Sequence, residues 1–301
     1  MTQQKLAWQS KVVLLAVLPF AGTDATLAFF RWPDLWAPVA IWTAGLSVLL
    51  GLVTWKLRAA TPSAALTGAV ITASLMFSTF TFPYEPWHTA LVPILGVSIL
   101  AFAATKVGRR KKERLGTAEE RRGRSASQVA ANLGVAAQVT CAPIQWWVTD
   151  RGWLNRVWPY QTWADRAVPL PLGLFTVALA ALAEAAADTV SSEIGQVLGG
   201  QPRMITTLRK AEPGTDGAVT IVGTLAGILA AATIAGTGTW ALRGDRQMFM
   251  VSGAGAVFGL FFDSLLGATL EKMGWLNNDA VNFLSTASAA ALAIILVIFW
   301  H

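Results

Sequence analysis

Apolar residues fall into stretches of a length suited to crossing a lipid bilayer, and charged residues or prolines interrupt them at intervals along the whole chain. A helix needs ~20 predominantly apolar residues to cross the hydrocarbon core. The pattern predicts nine such helices, near residues 12–30, 36–55, 62–82, 87–105, 126–148, 167–188, 218–240, 248–267 and 281–300. The first differs from the others because Asp24 falls inside it, and a charge at the bilayer centre costs at least ~2.5 kcal/mol. It reads either as a span or as an interfacial helix. The longest polar stretches, 106–124, 149–166 and 189–217, are too short for a soluble domain. Lys5 and Lys11 precede the first apolar run, but no small-residue cleavage site follows it clearly.

Composition agrees with this reading. Of 301 residues, 54% are hydrophobic and 13% charged, about half the charged fraction usual for soluble domains. The fold class expected is therefore all-α, a polytopic transmembrane helical bundle. A lone cysteine, Cys141, excludes a disulfide framework, and two histidines exclude a histidine-rich metal site.

The formal charge of +6 fits a membrane protein's basic loops better than a nucleic-acid binder. With the amino terminus inside, 17 of the 23 Lys and Arg residues fall on one face, from Lys5 to Lys272, and six on the other. The positive-inside rule then places the amino terminus in the cytoplasm and the carboxyl terminus outside. Trp32, Trp36, Trp87, Trp146, Trp147, Trp153, Trp158 and Trp163 gather towards the outer face, where tryptophan favours the interface. The basic run from Lys106 to Arg114 reads as a solvated surface that attracts anionic headgroups, so neutralising Lys111 and Lys112 is expected to leave turnover nearly intact.

Chemistry concentrates at the cytoplasmic ends of the later helices. Glu184 and Asp188 stand four apart on one helix face with Ser192 one turn on, at what reads as a helix carboxyl end. Asp263 and Ser264 end another helix similarly. Carboxylates at such depth are costly and mark functional sites by default, the alternative being bonds to neighbouring hydroxyls. Residues 123–132, 213–217 and 277–282 meanwhile open helices running the other way, whose free N–H groups favour phosphate. Hard oxygen ligands beside anion-binding groups suit magnesium-dependent phosphoryl or nucleotidyl transfer. No Walker or kinase signature occurs, and both histidines, His88 and His301, fall on the outer face. A phosphate monoester acceptor, ionised at neutral pH, would need no histidine base. Gly223, Gly227, Gly253, Gly255 and Gly259 read as close helix packing.

Seven ordered motifs resemble a known family: Leu66-Thr-Gly-Ala69, Gly123 to Asn132, Ala187 to Gly195, Pro202 to Lys210, Pro213 to Gly217, Asp263 to Leu270 and Asn278 to Thr286. They resemble the integral membrane family called domain of unknown function ninety-two, which includes the plant phytyl-phosphate kinase of tocopherol synthesis and the animal transmembrane protein nineteen. The likeness runs from about residue 60 to 300, which makes 61–301 the family core and 1–60 peripheral amino-terminal helices of one membrane domain. The chain reads Asn132-Leu-Gly134 where the family often reads Asn-Gly-Gly. The stretch from Asp188 to Thr215 is also distantly similar to CTP-dependent polyprenol kinases, with Pro213 where that pattern has glutamate and Glu212 adjacent.

The resemblance implies a prenyl-phosphate kinase in a bacterial inner membrane, moving a phosphoryl group from a nucleoside triphosphate, CTP favoured, to an isoprenoid monophosphate lipid. Mg2+ is the implied cofactor, held by Asp188, Asp263 and Glu193, with Arg203 and Lys210 neutralising the transferred group. Arg124, Gln128, Asn132, Ser192, Thr206, Thr207, Gly214, Thr215, Asn278, Asp279 and Asn282 would position phosphates, all in one cytoplasmic-side cavity. A CDP-lipid synthase or polyprenol kinase is the nearby alternative. A transporter or lipid-phosphate flippase with an ion path through Asp24, Glu184, Asp188 and Asp263 is the rival of another class. Homo-oligomerisation stays open.

Overall fold

A computed structural model describes residues 6–80, 83–116, 123–142, 144 and 172–299, the side chains of 31–36 and 172 excepted. Within them the chain is an all-α membrane bundle. The elements are α1 (Ala7–Lys56), α2 (Pro62–Thr79), α3 (Leu91–Lys106), the short α4 (Arg109–Leu115), α5 (Ala126–Thr140), α6 (Leu172–Leu198), α7 (Ile221–Ala241), α8 (Arg246–Leu266) and α9 (Asn278–Phe299). A two-residue hairpin of β1 (Arg203–Met204) and β2 (Ala218–Val219) pairs Arg203 with Val219 and Met204 with Ala218.

Side-chain caps mark the helix starts. Thr61 accepts from Ala64 N with Pro62 at the first position of α2, and Ser125 and Gln128 form a reciprocal capping box on α5. Thr220 accepts from Gly223 N, Asp245 from Met248 N and Asn277 from Ala280 N at the starts of α7, α8 and α9. Each oxygen satisfies a backbone donor that has no partner within the helix.

Seven helical segments are long and apolar enough to cross a membrane, or eight if α3 and α4, bent by 65° at their junction, count as one span. The 50 residues of α1 contribute two of these, Ala7–Phe30 and Ala37–Lys56. Both ends of α1 meet the same face: Gln9 bonds to Trp275 and Asn277 beside the start of α9, and Ala59, just past the other end, accepts from Arg124 beside the start of α5. The chain therefore crosses and returns. The residues between carry Pro33 and Pro38, each removing a helical hydrogen bond.

The span containing Asp24 solves its charge problem locally. Ser74 Oγ donates to Asp24 Oδ2 at 2.7 Å and Ala142 N donates to Oδ1 at 2.9 Å, while Val13, Val17 and Ala21 of the same helix join the main core. That core centres on α6, which packs against α3, α5, α7, α8 and α9. Its apolar window is 89% buried against 22–61% for the other spans, so α6 is the helix kept from lipid. Its run of alanines allows the close approach that substitutes for large side chains in a membrane.

Three sequence expectations shift. The helix expected to stop at residue 188 continues to Leu198, because neither proline nor glycine pair interrupts it before Gly199-Gly200. Asp188 is thus mid-helix, where the terminal dipole has no hold on a cation. The last helix begins at Asn278 rather than 281. The basic loop 106–124 contains α4. The outer loop 149–166, the first residues of the span expected at 167, and most of the tryptophan belt lie outside the described residues; Trp87 is exposed.

Candidate functional site

Two cavities open at the face where α5, α7 and α9 begin and α3, α6 and α8 end. The first, about 250 Å³, is walled by Asp188, Ser191 and Ser192 of α6, the turn 213–217, Asp263 and Ser264 of α8, and Asn278 and Asn282 of α9. A wider π turn, Gly267–Glu271, follows α8, and Glu271 also lines the space. Such turns recur at functional sites. The turn 213–217 reaches the cavity because Gly217, at φ 72°, lies against Ala268, whose backbone a Cβ there would overlap.

Among the described residues, four carboxylates, Asp188, Asp216, Asp263 and Glu271, line this cavity and no Lys or Arg does. Asp188 and Asp263 stand together on its wall, close enough to act electrostatically on each other. Two ionised carboxylates are acceptors only, so a proton or a cation must stand between them. Glu184, 1% exposed, sits beneath, with Gly259 leaving room for its side chain and Ser285 within hydrogen-bond reach of both Glu184 and Asp263. Glu184 Oε1 and Asp263 Oδ1 are buried without a hydrogen-bond partner. Outside the spans, loss of hydration raises the Asp216 carboxyl above its usual value, and the Lys272 ammonium opposes that shift.

The second cavity, about 290 Å³, lies between the Ala37–Lys56 span, α2, α3 and α5. Among the described residues Arg58, Lys106, Arg109 and Arg124 line it, and no Asp or Glu does. Its remaining wall is mostly apolar or small, including Leu50, Ala65, Ile94, Val97, Ala101 and Leu133. Arg124 is placed by backbone pairing: its N donates to Ala59 O and its O accepts from Thr61 N, each at 3.0 Å. Gly123, at φ 79°, permits this approach, since a Cβ would overlap the Ala59 backbone. Arg124 Nη2 donates to Thr189 Oγ1 at 3.4 Å, and the guanidinium acts electrostatically on Asp188. It links the two cavities.

The expected site residues therefore divide. Asp188, Asp263, Ser192, Gly214, Thr215, Asn278 and Asn282 line the acidic cavity, and Arg124 and Asn132 line the basic one. The single cavity anticipated from the motifs is two, because α6 packs on both α5 and α7 and stands between them, while α9 packs directly on α5. Arg203, Thr206, Thr207 and Lys210 are exposed on the hairpin and its loop and line neither cavity; Arg203 Nη1 donates to Leu208 O. Gln128 is committed to the α5 cap, and Asp279 accepts from Ser10 Oγ at 2.6 Å.

Glu193 turns away from the acidic cavity. It forms a close ion pair with Lys112, which is 1% exposed and also donates to the Ala104 and Thr105 carbonyls. Lys112 is thus an interior cation and not part of a surface field, whereas its neighbour Lys111 donates to Val197 O from an exposed position. Sequence reasoning passed over Asp216, inside a quoted motif, and Glu271, for which only the following π turn gives a reason. Arg58 counted only towards topology, and Lys106 towards topology and the basic surface run. Of the five small-residue glycines, Gly253 has no close neighbour, while Gly223, Gly227, Gly255 and Gly259 each pack against another helix. On the other face His88 bonds Ala241 O and pairs with Glu85, remote from both cavities.

Among the described residues no three Asp, Glu, His or Cys side chains form a ready metal cage. Magnesium does not require one, since it commonly takes one or two carboxylates together with water and substrate phosphates. The paired carboxylates and the orphaned Asp263 Oδ1 fit such an ion.

The family described as integral membrane protein DUF92 matches residues 45–290. An uncharacterized membrane protein of Methanocaldococcus jannaschii is 42% identical over 39% of this chain and 49% of its own length. One of Synechocystis is 31% identical over 69% of this chain and 73% of its own. The chloroplast protein VTE6 of Arabidopsis thaliana is 28% identical over 66% of this chain and 55% of its own. The chain thus spans about half the length of the archaeal relative it matches. No solved structure matches.

Proposed function

The chain belongs to the integral membrane family DUF92, and on that premise we propose that it is a prenyl-phosphate kinase acting at the cytoplasmic face of a bacterial inner membrane. The observation that carries this reading is the Asp188–Asp263 pair on the wall of a polar cavity, one residue along α6 from the Thr189 hydroxyl that holds Arg124 of the basic cavity. The resemblance to the family of phytyl-phosphate kinase supplies the substrate class.

In this reading the triphosphate of an NTP, CTP favoured, enters the acidic cavity with Mg2+. Asp188 and Asp263 would hold the ion, which when bound neutralises phosphate charge as a Lewis acid. Asn278, Asn282, Thr215 and the Gly214 turn offer donors to phosphate oxygens. An ionised oxygen of the lipid monophosphate attacks the terminal phosphorus. A P–O bond forms there as the bond to the bridging oxygen breaks, its electron pair leaving with the nucleoside diphosphate. The acceptor needs no general base, being ionised already. Arg124, not the exposed Arg203 or Lys210, is the cation suited to face the charge developing on the transferred group.

The test is incubation of the purified protein with magnesium, each nucleoside triphosphate in turn and a panel of prenyl monophosphates. Nucleoside diphosphate and prenyl diphosphate in equal amounts are expected. Pyrophosphate release would instead indicate a CDP-lipid synthase, and no product with any pair would remove the kinase reading.

A further inference from the structure

We propose that the basic cavity binds a single-chain lipid monophosphate, with the phosphate among its cations and the tail running down α3. This deepens the kinase reading and rests on it for the acceptor role. Charge comes first: among the described residues Arg58, Lys106, Arg109 and Arg124 line the space without one carboxylate. Arg109 is paired with Glu113 at 3.2 Å and Lys106 stacks over Phe102, so the cations stay anchored near the mouth.

Shape comes second. The lining residues of α3 run from Lys106 back to Ile94, about 18 Å at 1.5 Å per residue. Along that depth the walls turn from cationic to aliphatic, which matches an amphiphile and mismatches a nucleotide. Ribose and base edges placed against Ile94, Val97 and Ala101 would exchange water for only the Thr72 and Ser98 hydroxyls and the Asn132 amide. The cavity exists because α3 packs on α6 and α7 and makes little contact with α2. At about 290 Å³ it stands at the small end of ligand sites, roughly 300–1,000 Å³, room for one chain and not two.

An independent observation points to a ligand. Thr72, fully buried on the cavity wall, has an Oγ1 with no hydrogen-bond partner. Gly68, one turn before it, also lines the wall, and a Cβ there would meet only Val129 at 3.7 Å. A larger side chain at Gly68 can therefore grow into the cavity without displacing a helix.

The experiment measures equilibrium binding, in detergent, of a C20 prenyl monophosphate, a straight-chain alkyl monophosphate, the uncharged prenol and a two-chain phosphatidic acid. Wild type, Gly68→Leu, Arg58→Gln and Thr72→Val are compared, with magnesium-nucleotide binding measured on the same samples as the control for folding. Both single-chain phosphates are expected to bind, and whichever is tighter identifies the tail. Gly68→Leu should weaken them by ~tenfold or more, as filled volume implies, and Arg58→Gln by a similar factor through a lost charge-assisted contact. Nucleotide binding should be unchanged in both. Prenol or phosphatidic acid binding as tightly as the prenyl phosphate would overturn the proposal, as would unchanged binding in Gly68→Leu and Arg58→Gln. A wild type that binds the lipid phosphate but transfers nothing to it removes the kinase reading and keeps this site. Transfer with an unaltered acceptor KM in both variants does the reverse.

Discussion

The acidic and basic cavities share a face and one wall helix, yet they are built on opposite electrostatic plans. Among the described residues, one gathers Asp188, Asp216, Asp263 and Glu271 with no cation on its wall, the other gathers Arg58, Lys106, Arg109 and Arg124 with no carboxylate. Like charges held this close repel unless something of opposite sign joins them. Each cavity is therefore incomplete alone, and Arg124, held by the Thr189 hydroxyl, joins the two. On the proposed reading, the acidic cavity would admit phosphate only together with a cation whereas the basic cavity needs none, which would keep a metal-nucleotide and a lipid phosphate apart until their phosphates meet.

Removing a charge from the acidic side should break the comparison most severely. Asp188→Asn keeps the shape but loses half of the paired carboxylate, so turnover should fall by ~10³-fold or more while the thermal midpoint holds or rises. Asp263→Asn should behave alike, and the double variant should add little, as steady-state rates and thermal shift in detergent would reveal. Survival of magnesium-dependent turnover in Asp188→Asn would leave its burial to be explained by packing.

Lys112→Met probes the scaffold between the cavities. It strands Glu193 and should cost about 3 kcal/mol, read as a lowered unfolding midpoint, while Lys111→Gln leaves the midpoint unchanged. Equal midpoints for the two variants would restore the surface reading of Lys112. Arg124→Gln should next lower kcat/KM by ~10²-fold without abolishing binding of either ligand, because it joins the two sites. Arg203→Gln and Lys210→Gln, on the exposed hairpin, should change it by less than ~threefold.

The smallest effect is on pH. Burial raises the Asp216 carboxyl and Lys272 opposes the rise, so Lys272→Gln leaves burial unopposed. Less Asp216 is then ionised at any given acidic pH, and the acid limb of the rate profile should move upward. A limb that stays in place would detach Asp216 from the reaction.

The bundle was legible because span length and charge breaks are governed by the bilayer itself. Asp188 and Asp263 were legible because carboxylates at such depth are costly and stood out against apolar surroundings, and Asn278 and Asn282 because they open a helix whose free N–H groups favour phosphate. The end of α6 was not, since Asp188 to Glu193 look like a helix boundary when their polarity is in fact the cavity's. Lys112 was misread because it stands in a basic run, and burial of one member depends on Glu193, 81 residues away. Arg203 and Lys210 lay in a matching motif, but the hairpin that carries them points their backbone register along the surface. The division into two cavities required knowing that α6 passes between α5 and α7, which no spacing along the chain encodes.

The central claim, that the two cavities take different ligands at once, is tested most directly by titrating a magnesium-nucleotide analogue that cannot be hydrolysed into wild-type protein already saturated with a prenyl monophosphate. The account predicts that both stay bound, and that Asp188→Asn loses the nucleotide while retaining the lipid. Displacement of the lipid phosphate by the nucleotide, in proportion to its concentration, would show one shared site and contradict it.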